Sequence, residues 1–484
     1  MGIGLGYDRG VSGYYVENFG CRATQADGAA VERQLEDHGL ARASSPAHAS
    51  LVVLNTCTVT LAADQDARAA IRRVRRQNPN ARIVVTGCYA QRAPSEVASL
   101  PDVSLVVGNS HKHQLAEIVL GGSANVRLQQ GFVPVSTLNP PSQPEAADGQ
   151  QPIFVSDIFA HTELLAAPVF DAANERTRPN LKVQDGCDNR CSFCVIPYVR
   201  GESRSLPLDR VVAEVKTLVR GGYREVVISG INLGRWGRDL RTRNSDLGHR
   251  TKVGFEDLLR SILAETTLEK LRISSVEPMD WSDELISLVA SSPRIAKHAH
   301  VPMQSGSDTV LRRMHRKYRP CHYREKITKI RAAMPEAAIG ADVMVGFPGE
   351  TDSEFEATRH MIEDLPLTYL HVFTYSPRPG TPAARMTNQV PVHVAGARNR
   401  VLRELGAVKK LTFMRSLIGR EIEAITLKTR QVVGEEARFT AATEALTDNY
   451  LKLHLREVHQ PNRWVRAHVE CVEDGMLLGA TLEN

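Results

Sequence analysis

The sequence feature that most constrains this 484-residue chain is a contiguous trio of cysteines, Cys187, Cys191 and Cys194, spaced CxxxCxxC. The trio directly follows a predicted strand at residues 178–184. Structural zinc takes four ligands, usually as two CxxC pairs, and the chain has no second pair. Disulfide frameworks use even sets of cysteines and suit small secreted domains. Three crowded thiolates favour a 4Fe–4S cluster with one open iron, and a structural zinc is the alternative.

Composition places the chain among ordinary globular proteins. It is 42% hydrophobic and 24% charged, and its length allows two to four domains. No apolar run approaches the roughly 18 residues of a membrane span, and residues 1–8 lack the pattern of a secretory signal. We therefore expect a cytoplasmic protein without a membrane segment. The net charge of +5 does not by itself indicate a nucleic-acid partner.

Residues 12–120 are predicted to form a domain with a doubly wound parallel sheet. Its apolar runs predict buried strands at residues 14–19, 51–54, 82–86 and 103–107, with helices at 25–38, 61–77 and 111–120. A dispersed trio of cysteines, Cys21, Cys57 and Cys88, follows the first three strands, at the edge where such sheets gather ligands. Because neighbouring strands lie about 4.8 Å apart, the three thiols can converge on one point. The dispersed trio therefore predicts a second iron–sulfur site.

Residues 176–410 are predicted to form a partial (β/α)6 TIM-like barrel, whose active site would lie at the carboxyl ends of the strands. The six strands are predicted at residues 178–184, 225–229, 270–275, 299–303, 340–345 and 369–375. Small and polar residues collect at those ends, and we expect five of them near a bound cofactor or substrate: Gly230, Asn232, Glu277, Gln304 and Ser305. Taken singly, each is equally explained as a turn residue, and Glu277 as a helix cap.

Two further segments differ in character from these domains. Residues 121–175 are rich in Pro, Gln and small residues and are predicted to be a linker. Residues 411–484 are predicted to form a small β-barrel, with strands at 420–427, 436–440, 450–455 and 464–471. Arginine-rich runs at 68–76 and 311–319 either contact RNA phosphates or form solvated helix faces.

The cysteine motifs resemble those of a known enzyme family. The contiguous trio resembles the signature of the radical S-adenosylmethionine (SAM) superfamily. The segments Phe-Gly-Cys21, Asn-Thr-Cys57-Thr-Val-Thr and Gly-Cys88-Tyr-Ala-Gln resemble the motifs of its methylthiotransferase branch, closest to the tRNA threonylcarbamoyladenosine type. One departure is Thr24, where the family generally has Asn. Residues 411–484 resemble, weakly, the RNA-binding TRAM domain.

This resemblance implies an enzyme that uses SAM and two 4Fe–4S clusters. The contiguous trio would hold the catalytic cluster, and the dispersed trio would hold an auxiliary cluster that carries or supplies sulfur. One SAM would provide the methyl group, and a second would provide the radical that activates adenine carbon 2. The product would be the 2-methylthio derivative of N6-threonylcarbamoyladenosine, next to the anticodon of tRNA.

The implied partners are a tRNA substrate, a reducing electron donor and a sulfur source, and we expect the protein to be a monomer. One alternative keeps the chemistry and changes the target to isopentenyladenosine in tRNA or to a ribosomal protein. Another is a non-catalytic iron–sulfur protein that binds RNA.

Overall fold

Residues 13–121, 151–161, 164, 178–243, 253–431 and 441–482 are described in the computed structural model. They divide into two units. The first unit holds the described residues up to 167 together with Tyr198–Gly201, and the second unit holds the others. Among the helices that are described, none is long and apolar enough to cross a membrane.

The first unit is a parallel sheet with helices between its strands. Its strands are β1 (Tyr14–Asn18), β2 (Leu51–Thr56), β3 (Arg82–Gly87), β4 (Leu105–Gly108) and β5 (Ile153–Phe154). Its helices are α1 (Arg22–Asp37), α2 (Leu61–Gln77), α3 (Cys88–Arg92), α4 (Pro94–Ala98) and α5 (Leu115–Leu120). Helix α2 begins where the Thr60 hydroxyl accepts a hydrogen bond from the Ala63 backbone N–H.

Strands β1 to β5 lie side by side in chain order. Arg42 forms a parallel bridge to Tyr14 on one edge of β1. Strand β2, which follows in the chain, pairs with the opposite edge. Helices α1 and α5 pack on one face of the sheet, whereas α2, α3 and α4 pack on the opposite face. This arrangement is the doubly wound α/β sheet that the apolar runs predicted.

The second unit begins with alternating strands and helices. Its strands are β6 (Asn180–Lys182), β7 (Gln184–Asp185), β8 (Arg204–Ser205), β9 (Glu225–Ser229), β10 (Lys270–Ile273), β11 (His298–His300), β12 (Ala338–Val345) and β13 (Tyr369–Thr374). The helices of this region are α6 (Ile196–Arg200, grouped with the first unit from Tyr198 onward), α7 (Leu208–Arg220), α8 (Arg238–Arg243), α9 (Phe255–Glu265), α10 (Asp283–Ser291), α11 (Asp308–Arg313), α12 (Pro320–Ala333), α13 (Asp352–Asp364) and α14 (Val392–Arg415).

Six strands of this region are parallel, in the order β6, β9, β10, β11, β12 and β13. Parallel bridges from Leu271 to Ile295 and from Ser275 to His300 connect β10 to the β11 segment. One face of these strands is apolar and packs against the helices. The residues that alternate with it on the other face are mostly polar, with Val227, Ala338, Met344 and Phe373 as apolar exceptions, and we call this the polar face. The α/β class that the sequence predicted is confirmed.

The C-terminal part of the second unit is a closed barrel of five strands. They are β14 (Glu421–Gln431), β15 (Ala441–Thr447), β16 (Lys452–Leu455), β17 (Trp464–Glu473) and β18 (Met476–Thr481), in the order β14-β15-β16-β18-β17. Small and branched side chains such as Ala424, Leu453 and Val469 fill its interior. The small β-barrel that the sequence predicted is present.

The structure differs from the sequence expectations in several places. The strand predicted at 436–440 and most of the linker at 121–175 lie outside the described residues. Within that linker, β5 extends the sheet of the first unit. Helix α14 continues through residue 410, where we placed a domain boundary. Its polar and apolar residues do not separate cleanly along the sequence, which is why its pattern gave no helix signal.

Candidate functional site

The dispersed trio lies at three neighbouring strand ends of the first unit. Cys21 precedes α1, Cys57 directly follows β2, and Cys88 is the first residue of α3, after β3. The chain first pairs on one edge of β1, at Arg42, and then places β2 on the other edge. Open α/β sheets bind ligands at the carboxyl ends of strands where the connections change direction in this way. Cys57 and Cys88 are buried and Cys21 is exposed, so the site opens on the Cys21 side.

Two glycines allow the loops of this site to approach each other. Gly20 has a φ of +97°, and a Cβ placed on it would lie 2.8 Å from the Cys57 sulfur. Gly87 has a φ of +100°, and a Cβ placed on it would lie 2.3 Å from the Thr56 carbonyl oxygen. No larger residue fits either position without moving backbone or a candidate ligand.

The thiols of the dispersed trio influence one another electrostatically. Burial, together with the neighbouring Cys88 and Cys21 thiols, raises the pKa of the Cys57 thiol to about 12. The side-chain amide of Asn109 donates a hydrogen bond to the Cys88 sulfur at 3.5 Å. Thiols with raised pKa become thiolate ligands only beside a strong positive charge such as iron. The donor set therefore fits a metal cluster.

A buried ion-pair network lies next to the dispersed trio. Asp27 accepts hydrogen bonds from Lys112 at 3.2 Å and from Arg200 at 2.9 Å. The Arg200 guanidinium also donates to the Thr24 hydroxyl at 3.3 Å, and that hydroxyl lies 3.6 Å from the Cys21 sulfur. Thr24, at which the chain departs from the motif that it resembles, therefore lies beside the candidate ligand. Sequence analysis missed this network because its members are far apart along the chain.

The contiguous trio lies in a loop of the second unit that follows β7. The hydroxyl of Ser192 donates to the Arg313 carbonyl at 2.7 Å, and its backbone N–H donates to the Met314 carbonyl at 3.1 Å. The Ala383 backbone N–H donates to the Ser192 carbonyl at 2.8 Å. Two backbone segments, residues 313–314 and Ala383, thus hold the middle of the loop. All three cysteines of the trio are partly exposed.

Burial also raises the thiol pKa values of the contiguous trio, to about 11 for Cys187 and about 12 for Cys194. Two side chains donate hydrogen bonds to its sulfurs. The Arg316 guanidinium lies 3.3 Å from the Cys191 sulfur, and the Asn232 amide lies 3.7 Å from the Cys187 sulfur. Hydrogen bonds of this kind to ligand sulfurs tune the reduction potential of iron–sulfur clusters.

The spacing of the sulfurs bears on the alternative of a single metal ion. Zinc–sulfur bonds of about 2.3 Å keep the ligand atoms of one zinc ion within about 4.6 Å of each other. Among the described residues, the ligand atoms of His300, Asp342 and His371 lie within 4.8 Å of one another, and neither cysteine trio meets that limit. By this criterion, neither trio is grouped closely enough for a single zinc ion.

The five predicted cofactor residues differ in what they contact. The Asn232 backbone N–H donates to the Gln184 side chain, against which Gly230 also packs, and Glu277 forms an ion pair with Arg316. These contacts place Asn232 and Glu277 at the contiguous trio. They also identify Gln184 and Arg316 as site residues that sequence analysis missed.

Gln304 and Ser305 have different surroundings. Gln304 has a φ of +61° and pairs with β12 through Val343. The Ser305 hydroxyl lies 3.1 Å from the Thr358 hydroxyl and accepts a hydrogen bond from the Ser307 backbone N–H. The contacts described for Ser305 therefore stabilise its own loop and are not made to the contiguous trio.

The two arginine-rich runs are mostly engaged in ion pairs. Arg316 is buried against Glu277, so it is not a surface contact for RNA. Arg313 pairs with Glu354 at 2.8 Å. Further pairs with carboxylates involve Arg68, Arg73, Arg75, Arg312 and Arg319. Their charges are partly neutralised, and these runs alone do not indicate an RNA-binding surface.

Two family descriptions match the chain. Residues 13–108 match the uncharacterized protein family UPF0004, and residues 181–362 match the radical SAM superfamily. Among solved structures, the radical S-adenosylmethionine methyltransferase TsrM from Kitasatospora setae superposes with a TM-score of 0.52 at 17% identity, covering 78% of this chain and 75% of that one. This similarity supports the fold alone.

Curated relatives cover most of the chain. The threonylcarbamoyladenosine tRNA methylthiotransferase MtaB of Bacillus subtilis is 36% identical over 90% of this chain and 88% of its own length. The protein of the same name from Aquifex aeolicus is 33% identical over 93% and 98%. A tRNA-2-methylthio-N(6)-dimethylallyladenosine synthase of Novosphingobium aromaticivorans is 33% identical over 85% and 86%. The chain is therefore an enzyme of the radical SAM tRNA methylthiotransferase family.

Proposed function

We propose that this enzyme converts N6-threonylcarbamoyladenosine, next to the anticodon of tRNA, into its 2-methylthio derivative. The observation that carries the proposal is the pair of three-cysteine sites, one contiguous and one dispersed, in a chain whose family transfers methylthio groups. Relatives named for threonylcarbamoyladenosine reach 36% identity, and the residues that follow Cys57 and Cys88 resemble that branch. Relatives named for dimethylallyladenosine, at 33% identity, define the competing substrate.

The contiguous trio would hold the cluster that binds SAM. When bound, cluster and SAM together supply the methyl group and the radical that the reaction needs. Arg316 would stabilise the negative charge of the Cys191 thiolate and hold Glu277 in place. Asn232 would support Cys187 in the same way. Gly230, Gln304 and Ser305, at the carboxyl ends of the strands, would complete the cofactor pocket of an open TIM-like barrel.

The dispersed trio would hold a second 4Fe–4S cluster that carries or supplies the inserted sulfur. Asn109 would donate a hydrogen bond to the Cys88 ligand. Arg200 and Lys112, which both pair with Asp27, would bring positive charge close to a negatively charged cluster. The reaction would draw on an external reductant and a sulfur source.

The remaining parts of the proposal concern domain roles. Residues 12–120 would form the auxiliary-cluster domain, residues 176–410 the radical SAM core, and residues 411–484 a TRAM-like domain that binds tRNA. The closed barrel of β14 to β18 supports this last role, because small β-barrels of this kind bind single-stranded nucleic acids.

A complementation experiment tests the proposal. In a strain that lacks the gene, nucleosides from total tRNA are analysed by mass spectrometry. The wild-type gene should restore 2-methylthio-N6-threonylcarbamoyladenosine. Cys191→Ala should not restore it, whereas the matched control Cys321→Ala should, because Cys321 is an exposed thiol on α12. Restoration of the methylthiolated isopentenyl nucleoside would contradict the proposed substrate.

A further inference from the structure

The polar face of the second unit carries a histidine–carboxylate cluster that the cysteine sites do not use. His300, Asp342 and His371 lie on the neighbouring strands β11, β12 and β13. Asp342 and His371 are opposite each other in the strand register. The residues that alternate with them, such as Ala299 and Val343, belong to the apolar core under the helices. The histidine–carboxylate cluster therefore points away from the core.

One carboxylate oxygen organises this cluster. Asp342 Oδ1 lies 3.0 Å from His300 Nε2 and 3.2 Å from His371 Nδ1. The other ring nitrogen of His300 lies 3.0 Å from the Tyr369 hydroxyl. Burial alone would raise the pKa of Asp342, but its bonds to the two histidines hold that pKa well below its ordinary value. Asp342 therefore stays ionised and fixes the orientation of both imidazole rings.

The cluster is accessible from one direction. The side chain of His371 is 53% exposed, compared with 26% for Asp342 and 10% for His300. At the amino end of the strands, the ring of Tyr450 from the C-terminal barrel packs 4.7 Å from the ring of His298. That end of the polar face is therefore covered, and a ligand would approach from the carboxyl ends.

An exposed aromatic ring lies one step nearer to those carboxyl ends. Phe373 follows His371 by two residues on the same face of β13, pairs in register with Met344, and is 46% exposed. Phe373 and its neighbour Met344 thus place a small apolar area beside the polar histidine–carboxylate cluster, and apolar surface next to a few fixed polar groups is typical of ligand-binding sites. Exposed aromatic side chains of nucleic-acid-binding proteins stack on nucleobases, because every base has an aromatic face.

We propose that this face is the subsite for the modified base. Phe373 stacks on the adenine ring, and His371, oriented by Asp342, hydrogen-bonds to the polar N6 substituent. The inference rests on the proposed function and names the part of the site that selects the substrate.

The chemistry of the two candidate substrates explains how this subsite would select between them. A threonylcarbamoyl group offers a carboxylate, a hydroxyl and urea N–H groups, whereas an isopentenyl group offers no hydrogen-bonding atom. A site built to hydrogen-bond a substrate rejects an analogue without those groups, because its own polar atoms are then buried unpaired. The target base must also leave its stack to reach such a face, as in other base-modifying enzymes.

The test uses anticodon stem-loop RNAs that carry threonylcarbamoyladenosine, isopentenyladenosine or adenosine at the target position. Binding to the reconstituted holoenzyme without SAM is measured by fluorescence anisotropy, and product formation by mass spectrometry. His371→Phe should raise the Kd for the threonylcarbamoyl RNA roughly tenfold, the cost of one charge-assisted hydrogen bond, and leave the Kd for the adenosine RNA unchanged. Phe373→Ala should raise the Kd for all three RNAs by the same factor. His360→Ala, on the exposed surface of α13, is the matched control.

Each other result has a distinct meaning. If the wild-type enzyme methylthiolates the isopentenyl RNA and not the threonylcarbamoyl RNA, the proposed function fails. If it modifies the threonylcarbamoyl RNA but His371→Phe binds all three RNAs as the wild type does, the substrate subsite is wrong and the proposed function stands. If elemental analysis finds one zinc or manganese ion per chain that His371→Phe loses, the cluster is a metal site and the inference is overturned.

Discussion

The two three-cysteine sites differ in how their ligands are brought together. The contiguous trio lies in one loop, which is held by hydrogen bonds to two backbone segments. The dispersed trio exists only because three parallel strands end side by side. Both sites nevertheless contain thiols with raised pKa values and side-chain N–H donors to their sulfurs, one donor at the dispersed trio and two at the contiguous trio. Similar ligand environments can thus arise from a local turn or from a sheet.

Their charged neighbours also differ. The dispersed trio adjoins a buried carboxylate, Asp27, that two cations share. The contiguous trio adjoins one buried arginine, Arg316, which a single carboxylate balances. The positions of the three cysteines in the dispersed trio depend on how three strands pair. We therefore expect this trio to be more sensitive than the contiguous trio to substitutions in the strands and loops that hold it.

The largest effect should come from removing one ligand in each site. Cys191→Ala should abolish formation of 5′-deoxyadenosine from SAM. Cys57→Ala should retain it but abolish the methylthio product, because only the contiguous trio is proposed to bind SAM. Each variant should lose about half of the iron, because each proposed cluster carries four iron atoms. Anaerobic assays with a chemical reductant measure all three quantities. Loss of 5′-deoxyadenosine in both variants would contradict this division of roles.

The next largest effect should come from replacing a glycine that lets the loops of the dispersed trio approach each other. Gly87→Ala would force a Cβ against the Thr56 carbonyl at a positive φ, and we expect the free energy of unfolding to fall by about 3 kcal/mol. The control Gly39→Ala, also at a positive φ but in open space, should cost about 1 kcal/mol. Urea unfolding of the apoprotein measures both. Equal losses would show that the close approach of the loops contributes nothing.

Arg313, whose carbonyl group accepts a hydrogen bond from the contiguous-trio loop, pairs with Glu354. The free energy that this ion pair contributes to folding should depend on pH. Burial alone would raise the pKa of Glu354, but hydrogen bonds from Arg313 and Thr309 bring it from 4.5 down to about 2. A carboxylate with a depressed pKa stabilises the fold above its unfolded pKa, and this contribution disappears as the pH falls from about 4.5 to about 2.

Glu354→Gln should therefore lower the free energy of unfolding by about 2 kcal/mol at pH 6, and less at each lower pH. Urea titrations of the apoprotein between pH 6 and pH 3 test this expectation. Glu325→Gln, on an exposed pair with Lys329, should have an effect below about 0.5 kcal/mol at every pH. A constant difference between wild type and Glu354→Gln would contradict the assigned ion pair.

The smallest effect should come from Arg316→Lys. Lysine keeps the positive charge but cannot reach both Cys191 and Glu277 with a planar fork, so we expect a loss of about 1 kcal/mol in stability. The EPR spectrum of the reduced SAM-binding cluster should shift, whereas the auxiliary cluster's spectrum should not. Arg312→Lys, a conservative change on an exposed side chain, should leave both spectra unchanged. A shift in both spectra would mean that Arg316 acts on the whole fold.

The α/β architecture and the two cysteine trios could be predicted from sequence because the patterns that indicate them are local. The spacing of the contiguous trio and the apolar runs of the strands each lie within a few consecutive residues. These runs predicted β1 to β4 and the six parallel strands of the second unit to within a few residues, whereas β5 and β8 were not predicted. The predicted strand ends also placed Cys21, Cys57 and Cys88 at one edge of the sheet. In the C-terminal barrel, alternation predicted β14, β16 and β17, whereas β15 and β18 were not predicted.

Only the tertiary structure decided which distant side chains meet. Arg316 belongs to a run of basic residues that resembles a solvated helix face, yet it is buried against Cys191 and Glu277. Lys112 and Arg200 meet at Asp27 across many residues of chain, and His300 and His371 meet at Asp342 through strand pairing. The physical reason is that periodicity reports which face a residue occupies within its own element, whereas ion pairs and hydrogen bonds depend on the packing of separate elements.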